Sequence, residues 1–483
     1  MEAISTGVPG LDRVLCGGLR PRALHVVGGL PGTGKTTLAQ QIAYHHARGD
    51  GGRVLYLAAL SETAERLVGH ASAFSFFDPA MVAERIYYIS VYPRLEEGGL
   101  GAVLDEVRLL SLEHHATLVV LDGVSTLKAA APSPLDFRRF VFDLNTQLRS
   151  LGVTSLFLGP WVELEATEPE FAVAEGIMTL TLDADAPASY RSLEVLKLRG
   201  SRHLTGRHSI TITTDGLSVF PRLEAVVGDE GVAEPPAKWT RVSTGSEGLD
   251  RMLKGGLPSG SVTLLAGVPG AGKTALALSF LAEGGRKGEK GIYLGFDEAP
   301  SRLVGKADAL GLGLGGQVAK GLQRLQWALP VELIPDRVAW QLLDLMDGNG
   351  VKRAVIDGAD ALLSKLGYAG RVQPFLAALA AILRSKNVTT IITHDLDRVV
   401  GTDLGIAHEG VASIVDNIIM LQYVELRSEL HRLISIMKVR ESGFDSSIRE
   451  FTISEGGLHV ASTFGSAEAV LTGIGHWRGR RAQ

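Results

Sequence analysis

The chain has 483 residues, too many for one ordinary domain and enough for two large α/β domains. Hydrophobic residues form 45% of it, which excludes a disordered chain, and 48 basic against 53 acidic side chains leave a formal charge of −5, which offers a phosphate backbone no broad attraction. The single cysteine, Cys16, excludes an internal disulfide and suits a reducing cytosol.

From the N-terminus, MEAISTGVPG has neither the basic nor the apolar region of a secretory signal, and no apolar run is long enough to span a bilayer. A cytoplasmic protein is expected. Residues 5–15, STGVPGLDRVL, lead into an apolar strand, ALHVVG (23–28), a glycine-rich loop and a helix over 36–48. The runs RVLYLAA (53–59), IYYISV (86–91), TLVVLD (117–122) and VTSLFLG (153–159) read as strands buried on both faces. Helical spacing over 101–115 and 134–150 separates them, which predicts a parallel sheet with right-handed crossovers. After Gly176 the runs IMTLTL, RSLEVLKL and HSITITT alternate and are joined by turns, so an antiparallel extension is expected. The pairs His45-His46 and His114-His115 read as solvated helix faces, and the histidines show no zinc-type spacing.

The programme then repeats. STGSEGLDRML (243–253) copies the opening phrase, followed by SVTLLAG (261–267), GIYLGF (291–296), RAVID (353–357), VTTIITH (388–394), IVDNIIMLQ and HRLISIMKV. ASIVDNIIML (412–421), interrupted by Asp416, reads as buried strand. The expected organisation is a first domain over 1–225, a linker over 226–240, a second domain over 241–463 and a flexible basic tail over 464–483 ending WRGRRAQ.

Each copy carries a G-x-x-x-x-G-K-[ST] loop, with lysines 273 − 35 = 238 residues apart. A triphosphate needs backbone N–H groups at close range, a helix N-terminus and a cation, and only a glycine-rich turn lets the backbone approach. The ATP-binding candidates are Gly29, Gly32, Thr33, Gly34, Lys35, Thr36 and Thr37, and in the second copy Gly267, Gly270, Ala271, Gly272, Lys273, Thr274 and Ala275. The lysines reach the β/γ-phosphates, and the hydroxyls of Thr36 and Thr274 suit Mg²⁺. Carboxylates that support the metal are expected at strand tips, where LVVLDG ends at Asp122 and RAVIDG at Asp357, 357 − 122 = 235 residues on. The alternative is an aspartate capping the next turn.

Hydrolysis also needs a group that orients or deprotonates water. Ser61-Glu62 and Asp297-Glu298 stand just past the next strand, at an offset of 298 − 62 = 236. Glu62 and Glu298 are the water-activating candidates and Asp297 a further acid; the plainer alternative makes them first-turn helix acids. Lys197 and Arg199 lie two apart at a strand end, and Lys438 and Arg440 repeat the relation. They are either solvated edge charges or cations that reach a neighbouring subunit's phosphates, which would imply a ring.

In these residues the chain resembles the RecA-like ATPases, and among them the double-domain KaiC family: the STG…GLD…GGL opening, both P-loops, the acidic positions and the K-x-R strand follow in order. The resemblance implies two tandem RecA-like P-loop NTPase domains, each a mainly parallel twisted sheet flanked by helices with an antiparallel extension. It also implies a double-ring homohexamer with nucleotide between subunits. KLRGSRH matches the family's interface motif, so Lys197, Arg199 and His203 are implied to contact ATP in trans. Lys438 and Arg440 are implied counterparts, although Glu441 and Phe444 stand where the family usually has Gly and His. Of the adjacent phosphoacceptors of the clock members only Ser413 is kept, beside Ala412, and Asp297 replaces a glutamate of the kinase pair. A two-step phosphorylation cycle is therefore disfavoured, and Ser413 is the candidate acceptor.

The expected protein is a cytoplasmic ATPase using ATP and Mg²⁺, self-assembled as a hexamer and read by an unidentified protein partner, without membrane or nucleic acid. The alternatives are a DNA-dependent recombinase or helicase-like motor, which would show strand binding that weakens with salt, and a nucleotide-gated scaffold with little turnover.

Overall fold

Apolar runs without alternation are stable only when both faces are covered, and the computed structural model places most of them inside layered sheets. The run IYYISV, expected to be buried on both faces, is instead an edge strand in which Ile86 is buried and residues 87–90 are half-buried. The structure describes residues 3–59, 64–161, 169–183, 190–367, 369–396, 411–426, 429–461, 468–469 and 475–476. The chain divides into two units, Met1–Asp229 and Glu230–Gln483.

The strands of the first unit are β1 (Leu24–Gly28), β2 (Val54–Ala58), β3 (Ile86–Ser90), β4 (Leu118–Asp122), β5 (Thr154–Gly159), β6 (Gly176–Asp183), β7 (Tyr190–Leu198), β8 (His208–Thr213) and β9 (Gly216–Phe220). They form one sheet in the order β3-β2-β4-β5-β1-β6-β7-β8-β9. Pairing is parallel from β3 through β6 and antiparallel from β6 to β9. Every residue of β1, β2 and β5 is buried. Helix Pro134–Ser150 shows how a crossover is specified. Ser133 accepts from the Asp136 N–H as its cap, Pro134 opens the first turn, and Phe137, Phe140, Val141, Leu144 and Leu148 line one buried stripe. At roughly 1.5–3 kcal/mol per buried side chain, that stripe outweighs the helix's modest propensity.

In the second unit a short ribbon of β10 (Arg241–Val242) and β11 (Leu257–Pro258) precedes β12 (Val262–Gly267), β13 (Lys290–Gly295), β14 (Gln323–Trp327), β15 (Val351–Asp357), β16 (Thr389–Asp395), β17 (Asn417–Leu426), β18 (Glu429–Val439), β19 (Arg449–Ser454) and β20 (Gly457–Val460). The order β14-β13-β15-β16-β12-β17-β18-β19-β20 is the first sheet written again. β12 lies between β16 and β17 as β1 lies between β5 and β6, so each glycine-rich loop leaves the carboxyl edge of a fully flanked strand.

The repeated opening phrase is a clip for the chain entering each unit. Asp12 accepts from Ser5 Oγ (2.7 Å), Thr6 N (2.9 Å) and Thr6 Oγ1 (2.5 Å). Asp250 accepts from Ser243 Oγ (2.5 Å), Thr244 N (2.8 Å) and Thr244 Oγ1 (2.7 Å). In the second unit Arg353, 1% exposed, ties this clip to the sheet by donating to Ser243 O, Phe280 O and Glu289 Oε2 at 2.7, 2.8 and 2.6 Å.

Two readings of the sequence change. Residues 226–230, assigned to the linker, belong to helix Leu223–Glu230. The run 412–421 is not one buried strand: helix Val411–Ile414 comes first, with Ser413 exposed on it, and β17 starts at Asn417. Asp416 is why the strand starts late, since its buried carboxylate accepts from Val262 N and Arg384 Nε, each at 2.9 Å. In the tail, Glu468–Ala469 pairs with Gly475–His476, and the rest of 464–483 lies outside the described residues.

A buried ion pair anchors the second unit. Asp336, fully buried in the first turn of helix Pro335–Met346, accepts from Arg371 Nη1 and Nη2 at 3.2 and 2.9 Å. Removing one partner takes the bidentate counter-charge away from the other inside the protein, so Asp336→Ala is expected to destabilise this unit by about 3–5 kcal/mol. The double replacement Asp336→Leu, Arg371→Met is expected to recover most of that loss in chemical denaturation.

Candidate active site

Both glycine-rich loops end on a glycine held by geometry. Gly34 (φ 105°) and Gly272 (φ 110°) cap the helices Lys35–Arg48 and Lys273–Arg286 in the left-handed region. A Cβ at either would stand 2.6 Å from an isoleucine Cδ1, of Ile212 or Ile453. Neither helix start has a side-chain cap, which leaves its N–H groups to an anion. Thr36 and Thr37, like Thr274 and Ala275, occupy the first turn.

Lys35 Nζ folds over the loop and donates to Gly29 O (2.7 Å) and Leu30 O (2.9 Å). Lys273 Nζ makes the same bonds to Gly267 O (2.7 Å) and Val268 O (3.1 Å), and adds an ion pair to Asp395 Oδ1 at 2.5 Å. Burial holds the Lys35 amine below its ordinary pKa, and Asp122 pulls it back up.

The strand-tip acids meet the loop threonines. Thr36 Oγ1 donates to Asp122 Oδ2 at 3.0 Å, and Thr274 Oγ1 donates to Asp357 Oδ2 at 2.8 Å. These bonds span 86 and 83 residues of sequence. Phenols complete the pattern: Tyr56 donates to Asp122 Oδ2 at 3.2 Å, and Tyr293 donates to Asp357 Oδ2. Tyr293 is held above its ordinary pKa by burial first and then by Asp357. Thr393 Oγ1 donates to Asp357 Oδ1 (2.6 Å) and accepts from Gly358 N (2.8 Å). Leu158 stands at the matching register in the first unit, so Asp122 lacks that hydroxyl.

The second P-loop borders a cleft of about 400 Å³ lined by Lys273, Thr274, Asp297, Glu298, Asp357 and Asp395 among others. Asp297 and Glu298 precede helix Pro300–Ala309, whose cap is Ala299, so they are not first-turn acids. Lys306 Nζ holds Glu298 Oε1 at 2.5 Å, while Oε2 is buried with no hydrogen-bond partner among the described residues. Burial raises the Asp297 pKa, reinforced by Asp357, Asp395 and Glu298. Ser61 and Glu62 of the first copy lie outside the described residues.

The K-x-R cations are engaged within their own units. Lys197 Nζ donates to Phe171 O at 2.8 Å, and Lys438 Nζ donates to Ala412 O and Val415 O at 2.8 and 2.7 Å. Arg440 bridges Ser413 O (2.9 Å) and Asp416 Oδ1 (3.2 Å), whereas the Arg199 side chain is exposed and His203 half-buried. Burial, then the neighbouring arginine, lowers the pKa of both lysines. The reading of His45-His46 as a solvated face needs correction, because His46 Nε2 bonds Thr117 Oγ1 at 2.8 Å and is partly buried.

Sequence reasoning passed over Tyr56, Tyr293, Thr393, Lys306 and Asp395. The tyrosines had a signal, since they recur 293 − 56 = 237 residues apart within matched strands. Among the described residues no cluster of three or more His, Cys, Asp or Glu could hold a metal. No helix among them is long and apolar enough to cross a membrane.

The comparisons with known proteins agree with this geometry. The KaiC ATPase family model matches residues 4–224 and again 242–463. The circadian clock oscillator protein KaiC of Picosynechococcus is 28% identical, over 98% of this chain and 92% of its own length. That of Rippkaea orientalis is 28% identical over 98% and 91%, and KaiC 1 of Synechocystis is 28% identical over 98% and 92%. With a P-loop, a strand-tip aspartate and a family match in each half, the chain belongs to the KaiC family of ATPases.

Proposed function

We propose that this chain binds and hydrolyses ATP at both P-loops, at subunit interfaces of a double-ring homohexamer, and that a protein partner reads its nucleotide or phosphorylation state. The observation that carries the reading is the twinned Lys–Thr–Asp constellation, in which Lys35, Thr36 and Asp122 are repeated by Lys273, Thr274 and Asp357 at matched strand ends.

The donor set fits Mg²⁺. One hydroxyl and one carboxylate per site leave most of an octahedral shell to phosphate and water, as this cation prefers. Thr36 with Asp122, and Thr274 with Asp357, would hold it, and the bound ion would neutralise charge on the phosphates. Tyr56 and Tyr293 fix the two acids in place. Glu298 is the water-activating base of the second site: Lys306 fixes one oxygen and leaves the other to take a proton. Asp297 supports it, and Glu62 takes the same role in the first site.

Lys197, Arg199, His203, Lys438 and Arg440 reach the neighbouring subunit's nucleotide in this reading. Exposure of Arg199 supports it, and each lysine would exchange a carbonyl of its own unit for phosphate. Ser413 is the proposed autophosphorylation site. It is exposed on a single helical turn whose carbonyls Lys438 and Arg440 hold, so a kinase reaction needs no unfolding of a strand there.

Lys35→Ala and Lys273→Ala are each expected to lower ATP affinity at their own site by about tenfold or more, and the double variant to abolish phosphate release. Size exclusion with and without ATP is expected to report a hexamer. Hydrolysis and assembly unchanged in both single variants would sink the mechanism, and stimulation of hydrolysis by DNA would favour a motor. Phosphopeptide mapping after incubation with ATP is expected to place phosphate on Ser413.

A second expectation concerns Asp297. A carboxyl whose folded pKa is raised binds its proton more tightly in the native state, so its contribution to stability is lost as pH rises through that pKa. In chelator-containing buffer at neutral pH, Asp297→Asn is expected to stabilise the second unit. The gain should stay below about 1 kcal/mol, because the carboxyl is only partly withdrawn from solvent and the rest of the side chain is exposed and screened. A lower thermal midpoint in the variant would contradict this account.

A further inference from the structure

We infer that Asp395 competes with the terminal phosphate for Lys273 and so sets the preference of the second site between ATP and ADP; this rests on the reading that the second P-loop binds ATP. A lysine ammonium has three N–H donors. At Lys273 three acceptors meet them: Gly267 O at 2.7 Å, Val268 O at 3.1 Å and Asp395 Oδ1 at 2.5 Å. A phosphate oxygen therefore takes its bond from one of these. The carboxylate is the partner that can leave, because the two carbonyls belong to the loop backbone whereas the Asp395 side chain is 47% exposed and can be taken up by water.

The backbone of Asp395 is held even when its side chain is released. It ends β16 in register with Gly267, and its N–H donates to Asp360 Oδ2 at 2.8 Å. The other Asp360 oxygen bonds His394 Nδ1 at 2.6 Å, and the next residue, Leu396, donates to Gly267 O at 3.2 Å. The displaced carboxylate thus stays beside the phosphates, and two anions share one ammonium. That repulsion acts most strongly on the terminal phosphate, which is the group that separates ATP from ADP.

The first unit is built differently. Strand register places Pro160 where the second unit has Asp395, Gly159 in place of His394 and Ser125 in place of Asp360. Among the described residues Lys35 has two carbonyl partners and no carboxylate in ion-pair contact. Two P-loops of the same pattern therefore differ in what a phosphate must displace.

The test uses the full-length chain with Lys35→Ala, so that binding reports the second site, and titrates MgATP and MgADP by calorimetry. Asp395→Asn, which keeps the volume and removes the charge, is expected to tighten MgATP by about threefold or more and MgADP by less, and Asp395→Ser to follow it. Unchanged affinities, or equal gains for both nucleotides, would overturn the inference while leaving ATP binding at this site intact. Absence of MgATP binding in every variant, including the one that keeps Asp395, would overturn both the inference and the reading beneath it.

Discussion

The bond between a loop threonine and the aspartate of a neighbouring strand is the constraint on which each unit turns. Thr36–Asp122 and Thr274–Asp357 are short only if a helix start and a strand tip more than eighty residues away arrive at one edge of the sheet. That demands parallel strands with their carboxyl ends aligned, and parallel strands demand crossovers long enough to cover both faces. Continuous apolar strands and amphipathic helices are the sequence consequence of that demand. The site and the core are therefore one requirement seen from two ends.

Around that bond the two units diverge through single positions. Thr393 adds a third hydroxyl to Asp357, at the register where the first unit has Leu158. Asp297, Glu298, Asp357 and Asp395 concentrate negative charge around the second cleft, and Lys273 and Lys306 are the cations that offset it. In the second cleft Lys273 pairs with Asp395, whereas among the described residues Lys35 meets only carbonyls of its loop. The K-x-R strand ends show the same economy, since their lysines hold backbone carbonyls of their own unit.

Much of this was legible in order of residues alone. The duplication, both P-loops, the acidic strand tips and the parallel-then-antiparallel sheet follow from local patterns, because glycine spacing and runs of buried strand are written contiguously. The errors fell where a polar residue acts at a distance. Asp416 looked like an interruption within a strand, yet it caps the start of β12 and takes Arg384, so the strand begins after it. Residues 226–230 carry no periodicity of their own, yet they continue a helix that begins at Leu223 and buries Leu223 and Val226.

By itself the sequence determined that there are two nucleotide-binding cores and that each passes from parallel to antiparallel strands, since those depend on spacing along the chain. Only the tertiary structure decided that Tyr56 and Tyr293 buttress Asp122 and Asp357, that Lys306 holds Glu298, and that Asp395 saturates Lys273. These contacts join side chains from different strands and helices, and sheet order, not sequence order, sets which strand tips are neighbours.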